Sequence, residues 1–150
     1  MEKEHDSLIF IRPDLSASCP VPLAASPVHA GFPSPAEDFL EAPLDLNRAL
    51  IRDPSATFFV RVEGDSMTGD GIDDGDLLVV DKSLPARDGS IAVCYVDGEF
   101  TLKHLIRHDD GSVTLKPSNP RYQKLRIPAA DLPDRLMVWG IVRHVIKSLV

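Results

Sequence analysis

Short stretches rich in apolar and β-branched residues, separated by turn residues, follow one another from residue 57 onward. Six of them have the length and composition of strands. They are residues 57–63, 76–81, 90–96, 99–107, 112–116 and 137–147. Asp97-Gly98 and Asp110-Gly111 separate neighbouring stretches and favour tight turns. The pattern predicts a mainly β body, a barrel or sandwich of short strands.

The first 40 residues lack this pattern and are rich in proline. Seven of the 13 prolines lie in residues 13–43. Proline has no backbone donor and a fixed φ, so this stretch is unsuited to a central strand or a long helix. We therefore expect an extended N-terminal arm over residues 1–40 and one domain over residues 41–150. Residues 45–52 begin with Asp45 and have helical spacing, which predicts one short helix.

Composition excludes several classes of function. The chain has 150 residues and a net charge of −7, with no basic stripe, which argues against direct sequence-specific binding of nucleic acid. Cys19 and Cys94 do not form a disulfide or metal pattern. The acidic run over residues 70–76 fails the EF-hand spacing, so we expect a tight, solvated turn there. The acidic N-terminal sequence MEKEHDSLIF does not match a signal peptide. No apolar run in the sequence approaches the length of a membrane span. We expect a cytoplasmic protein without a metal or cofactor.

A serine is the first candidate for chemistry. Ser66 follows the predicted strand 57–63 in the sequence Gly64-Asp65-Ser66-Met67. A glycine at a strand end lets the backbone bend and present the hydroxyl, and neighbouring N–H groups can face a developing oxyanion. These residues are equally common in plain turns. A serine nucleophile also needs a base, and none of the five histidines stands in a recognisable triad signature. His104, in a predicted strand, fits a structural histidine.

A lysine is the second candidate. If Asp97-Gly98 forms a two-residue hairpin, Ala92 pairs with Lys103 and strand alternation places Lys103 on the face of Ala92, Cys94 and Leu105. The opposite face, which carries Ile91, Val93, Tyr95, Phe100 and Leu102, is the expected main core. Lys103 then points into a second apolar environment, where desolvation disfavours the ammonium form and suits a general base. A surface lysine with a snorkelling side chain is the alternative.

Seven stretches together resemble the self-cleaving S24-like serine peptidases, a family that includes the LexA repressor, phage repressors and the UmuD proteins. The resemblance covers nearly the whole chain. Its most specific part is an Ala-Gly pair, a Gly-Asp-Ser-Met serine and an Asp-Gly-Glu-Phe-Thr-x-Lys lysine, in that order. The stretches are residues 29–35, 45–47, 53–57, 64–67, 75–81, 96–103 and 139–147.

The resemblance implies the chemistry of the site. Ser66 is then the nucleophile, unprotonated Lys103 is its general base, and the cut falls between Ala30 and Gly31 of the chain's own arm. UmuD relatives often have cysteine before the glycine, and Ala30 is more similar to the LexA version. The implied fold is a LexA-like C-terminal peptidase β-body with one short helix and the arm. Cleavage within one subunit and cleavage across a dimer both remain open.

The resemblance also implies a biological role. Relatives of the UmuD type are homodimers that act in the SOS response to DNA damage and in SOS mutagenesis. Their cleavage is stimulated by the RecA filament on single-stranded DNA, and the shortened form joins a UmuC-like catalytic subunit of an error-prone translesion DNA polymerase. Alternatives are a non-catalytic dimeric module that regulates a polymerase, and a phage-repressor-type body. The short, acidic arm disfavours a repressor, and the missing anchor disfavours a signal peptidase that acts in trans.

Overall fold

The computed structural model describes residues 7–24 and 40–150, and strands make up most of its regular structure. The strands are β1 Ser7–Ile11, β2 Pro20–Ala24, β3 Leu40–Asp45, β4 Thr57–Glu63, β5 Leu77–Asp81, β6 Ile91–Val96, β7 Glu99–Arg107, β8 Val113–Lys116, β9 Leu125–Ile127 and β10 Leu136–Ile146. The helices are α1 Leu46–Leu50 and α2 Leu132–Arg135, and 3-10 turns span Thr68–Asp70 and Ala129–Asp131.

The chain divides into two units. The larger unit joins Ser55–Val150 with the N-terminal residues up to Pro13, and the smaller unit is Asp14–Pro54. The smaller unit contains an antiparallel pair of strands, β2 and β3, followed by α1. The Asp45 carboxylate accepts a hydrogen bond from the Asn47 backbone N–H and so caps α1. This short helix confirms the prediction, although it ends before the predicted residue 52.

The larger unit is an eight-stranded antiparallel sheet. Its spatial order is β1-β4-β5-β10-β6-β7-β8-β9. The β6–β7 hairpin pairs Val96 with Glu99 and Ala92 with Lys103. That register is the predicted one. Asp97 and Gly98 both have positive φ angles, of 48° and 87°, as a type I′ turn requires.

Apolar side chains pack on both faces of the sheet. The first cluster consists of Val60, Val62, Met67, Ile72, Leu78, Val80, Val93 and Leu102. The second cluster consists of Ala92, Cys94, Leu105, Leu115, Ile127 and Ile141. Neighbouring residues of β6 and β7 therefore point into different clusters, as alternation predicts. Lys103 lies on the face of the second cluster.

Two expectations about this part of the chain need correction. Tyr95 and Phe100 were expected in the core, but each is more than a third exposed. Phe100 instead belongs to a row of aromatic contacts with Phe10 and Trp139. The acidic run was expected to be a solvated turn. Within it, Ile72 and the Asp76 side chain are buried, because the turn folds back against the first cluster.

The strand β10 closes the sheet between β5 and β6. It pairs with both neighbours and has an irregular register near Gly140. A Cβ atom added at Gly140 would lie 2.6 Å from Val80 Cγ1, and Val80 is fully buried. Glycine therefore allows β10 to approach β5 closely at the centre of the sheet.

We expect Gly140→Ala to lower the free energy of unfolding by about 1–3 kcal/mol, because the added methyl group overpacks the core against Val80. Val80→Ala removes the clashing methyl groups. The double variant should therefore lose less stability than the sum of the two single variants, as measured by urea unfolding. Additivity within about 0.5 kcal/mol would show that the two positions do not clash.

Candidate functional site

Ser66 lies in the turn that follows β4. Gly64 has a φ of 114°, which a side chain rarely adopts, and it turns the chain away from the strand. Ser66 is only 1% exposed, and Met67 beside it belongs to the first cluster. The 3-10 turn Thr68–Asp70 follows at once. The hydroxyl is therefore fixed in the interior of the protein rather than at a loop tip.

A second loop holds the backbone of the Ser66 turn. The Ser66 carbonyl accepts the backbone N–H groups of Ser118 at 2.9 Å and Asn119 at 3.0 Å. The Asn119 side-chain amide donates to the Asp65 carbonyl at 3.0 Å, and the Tyr122 hydroxyl donates to the Asp65 carboxylate at 2.5 Å. These four bonds connect the residues on both sides of the Asp65–Ser66 peptide to the segment after β8.

Lys103 reaches the same place from β7. The side chain is 5% exposed. Its Nζ lies 2.7 Å from Thr101 Oγ1 and 2.9 Å from the Leu102 carbonyl oxygen. It also lies 3.5 Å from Ser66 Oγ, across 37 residues of sequence. The strand thus presents a buried amine directly to a buried hydroxyl.

This pair has the composition of a nucleophile and its base. A hydroxyl needs a proton acceptor within hydrogen-bond reach to attack a carbonyl carbon, and a neutral amine is such an acceptor. The Nζ–Oγ distance of 3.5 Å is long for a strong hydrogen bond. Such contacts commonly shorten when a substrate binds.

The Cys94 thiol shares the face of Lys103 but is not suited to nucleophilic attack. Burial raises the pKa of Cys94 to about 12, against the opposing effect of the Lys103 charge. The thiolate is the nucleophilic form, so Cys94 remains an unreactive thiol near neutral pH.

A groove runs beside the amine along the hairpin and the segment before β9. Its lining includes Val96, Phe100, Thr101, Lys103, Leu115 and Leu125. Glu99 and Gln123 complete the lining, so the groove presents apolar and polar side chains in equal numbers. An extended peptide that offers both apolar side chains and hydrogen-bonding groups fits this chemistry.

The structure describes some of the predicted site residues and not others. The structure brings Ser66 and Lys103 together, whereas Ala30 and Gly31 lie outside the described residues. His104 is on the other face of β7. Its Nε2 lies 2.6 Å from the Asp70 carboxylate and its Nδ1 lies 3.2 Å from the Gly89 carbonyl oxygen. These contacts are those of a structural histidine.

Sequence reasoning missed three residues of the site. Thr101 precedes Lys103 by two positions in a strand, so alternation alone places both side chains on one face. Asn119 and Tyr122 follow Ser66 by more than 50 residues and act on its turn from an irregular loop. Periodicity carries no signal for such contacts. Among residues 7–24 and 40–150, no three His, Cys, Asp or Glu side chains are grouped to hold a metal ion.

Comparison with known proteins identifies similar sequences over most of the chain. The model of the family described as Peptidase S24-like matches residues 22–143. Protein ImpA of Salmonella typhimurium is 41% identical over 125 residues, which cover 83% of this chain and 82% of ImpA. Protein SamA of Salmonella typhimurium strain LT2 is 46% identical over 121 residues, 81% of each chain. Protein MucA of Escherichia coli is 40% identical over 124 residues, 83% of this chain and 82% of MucA.

The helices of the described residues are short. None of them has the length and apolar character that crossing a membrane requires.

The two cysteines should differ in reactivity. Because burial raises the pKa of Cys94 to about 12, we expect iodoacetamide at about pH 8 to leave it unmodified in the folded protein. Cys19 is exposed and should react. Intact mass should show one adduct per folded chain and two per chain in urea. Rapid modification of Cys94 in the folded protein would show that this face of the sheet is open to solvent.

The loop that holds the Ser66 turn should contribute measurably to its order. Asn119→Ala leaves the Asp65 carbonyl without its side-chain donor and should cost about 1–3 kcal/mol. Tyr122→Phe should cost about 0.5–1.5 kcal/mol, since water can replace the hydroxyl at the partly exposed Asp65 carboxylate. Hydrogen exchange of residues 64–71 should accelerate in both variants. Tyr95→Phe, a change to an exposed ring, is the matched control, and equal acceleration there would contradict this role.

Proposed function

Since the chain belongs to the Peptidase S24-like family of self-cleaving, SOS-related serine peptidases, as a UmuD-like member, we propose that it cuts its own chain between Ala30 and Gly31 with Ser66 as nucleophile and Lys103 as general base. The observation that carries this proposal is the approach of Lys103 Nζ to 3.5 Å from Ser66 Oγ, with both groups buried.

The first half of the proposed reaction forms an ester. The neutral Lys103 amine takes the proton of the Ser66 hydroxyl while Oγ bonds to the Ala30 carbonyl carbon. Backbone amides near Ser66 stabilise the oxyanion. The C–N bond to Gly31 then breaks, and the departing nitrogen receives the proton from Lys103. Ala30 is left as an ester on Ser66, and the Gly31 amine is free.

The second half of the proposed reaction releases the arm. Water attacks the ester carbonyl carbon, and Lys103 again accepts and returns a proton. The Ala30 carboxylate leaves, and the Ser66 hydroxyl is restored. The net change is the hydrolysis of one peptide bond. The small side chain of Ala30 and the absence of one at Gly31 allow the hydroxyl to approach the carbonyl closely.

The contacts of Lys103 support its role as a base. Its side chain is 5% exposed, so the amine is shielded from bulk water and faces the Ser66 hydroxyl. The Thr101 hydroxyl at 2.7 Å and the Leu102 carbonyl at 2.9 Å fix the side chain, so that one direction of the amine faces Ser66. An arm laid in the groove would exclude the remaining water.

The proposed function also includes partner proteins. We place the protein in the cytoplasm as a homodimer in the SOS response, where the RecA filament on single-stranded DNA favours the cleavable arrangement of the arm. A ligand shifts such an equilibrium only through tighter binding to one state. The shortened chain then serves as a subunit of an error-prone translesion polymerase with a UmuC-like catalytic subunit.

Self-cleavage is tested by intact mass after incubation of the pure protein at about pH 10, because a lysine acts as a base only in its neutral form and high pH favours that form in general. We expect loss of residues 1–30 from the wild type, at a rate that rises with pH. Ser66→Ala and Lys103→Ala should each lower the rate by about 10³-fold or more. RecA filaments should accelerate the wild-type reaction near neutral pH.

Two exposed positions provide matched controls for the same substitutions. Ser148→Ala and Lys116→Ala change the same residue types at exposed positions and should leave the rate unchanged. Cleavage by folded Ser66→Ala at the wild-type rate would rule out the assignment of the nucleophile. A folded wild type that remains intact at high pH and with RecA filaments would favour the non-catalytic interaction module.

A further inference from the structure

The strand β1 occupies the edge of the eight-stranded sheet. It pairs antiparallel with β4 over all five of its residues, with Leu8 opposite Val62 and Phe10 opposite Val60. The other neighbour of β4 is β5, so in the described sheet β1 alone covers the outer edge of β4. Backbone N–H and C=O groups on such an edge are a template for another strand.

The two faces of β1 differ in their contacts. Leu8 packs against the first cluster, and the Phe10 ring lies 4.9 Å from the Phe100 ring and 4.8 Å from the Trp139 ring, between centroids. Ile9 and Ile11 point to the other side and are 45% and 38% exposed; Phe10 is 36% exposed, so its ring contacts rather than its burial distinguish it from them. The β4 edge, Phe100 and Trp139 together form a binding surface, which we call the seat. This surface favours a strand with an aliphatic residue and, two positions later, an aromatic residue.

The proposed cleavage site lies between β1 and the edge that β1 covers. β1 precedes Ala30, whereas β4, Phe100 and Trp139 follow Gly31. A cut at that bond would remove the covalent connection between β1 and the edge that it covers. Tethering raises the effective concentration of a segment at its site, and this advantage disappears once the tether is cut. The cut fragment would then be held only through its β1–β4 and β2–β3 pairings, so β1 can leave the edge when a competing strand is present.

We propose that β1 is a built-in occupant of a strand-binding edge, and that the cleaved chain binds in its place an extended segment of a partner protein. This inference rests on the proposed function for the step that empties the edge. The partner segment adds antiparallel to β4 through backbone hydrogen bonds and has an aliphatic residue two positions before an aromatic one. The uncleaved chain already places such a segment, Leu8-Ile9-Phe10, on the edge.

The test does not use cleavage, so it is independent of the proposed function. In full-length chains that all contain Ser66→Ala, Leu8→Asp with Phe10→Asp should release β1 from its seat. The probe is a fluorescent peptide with the sequence of residues 5–13. Its anisotropy should show binding to this variant at least tenfold tighter than to the parent. A peptide with the same two aspartates should not bind.

The exposed positions of the same strand supply the matched control. Ile9→Asp with Ile11→Asp adds the same two charges to the solvent side, so β1 should stay docked and the chain should bind the peptide no better than the parent does. If the inward double variant fails to fold by circular dichroism, Phe10→Asp alone replaces it. Hydrogen exchange should report faster exchange of β4 amides in the inward variant and its slowing when the peptide binds.

Three outcomes would overturn the inference. The first is equal peptide affinity for the parent and the inward variant. The second is absence of binding although exchange shows that the β4 edge is open. The third is a dimer between the parent and the inward variant that the free peptide disrupts, since a second copy would then be the occupant. If the peptide binds but the cleavage experiment fails, the β4 edge is established as a strand-binding site. Self-cleavage is then rejected as the event that empties it.

Discussion

The burial of one amine beside one hydroxyl is the constraint on which the rest of the structure depends. An amine taken out of water loses its hydration, and the loss is tolerable only where fixed polar atoms replace it. For Lys103 these atoms include the Thr101 hydroxyl, the Leu102 carbonyl oxygen and Ser66 Oγ. Two of them come from β7 itself. Ser66 comes from the turn after β4, so the sheet must bring two distant parts of the chain to the same point.

The sequence predicts best what local chemistry decides. Asp97-Gly98 sets the hairpin, the hairpin sets the register, and the register assigns Lys103 to the face of Ala92 and Cys94. Turn preference and alternation act over a few residues, so they are readable without a fold. All six predicted strands are present, with bounds that differ by at most one residue at either end.

What the sequence does not reveal depends on distant contacts. Asn119 and Tyr122, which donate hydrogen bonds to Asp65, lie in an irregular loop. The residue types of this loop are ordinary for a turn. The strands β1, β2 and β3 were missed because two of them contain proline and all three precede residue 57, where the predicted strands begin. β9 has only three residues, too few for a period. In each case a partner elsewhere in the chain decides the conformation.

The position of β10 has a consequence for the order in which the site is made. This strand follows all the other described strands in the sequence, yet it lies between β5 and β6, in the middle of the sheet. Ser66 is on the side of β4 and β5, whereas Lys103 is on the side of β6 and β7. Lys147, just beyond β10, also binds the Asp73 and Asp76 carboxylates at 2.6 Å, in the segment between Ser66 and β5. Until β10 has been synthesised, a chain on the ribosome therefore has its serine and lysine on two unjoined hairpins, and the insertion of β10 assembles the pair.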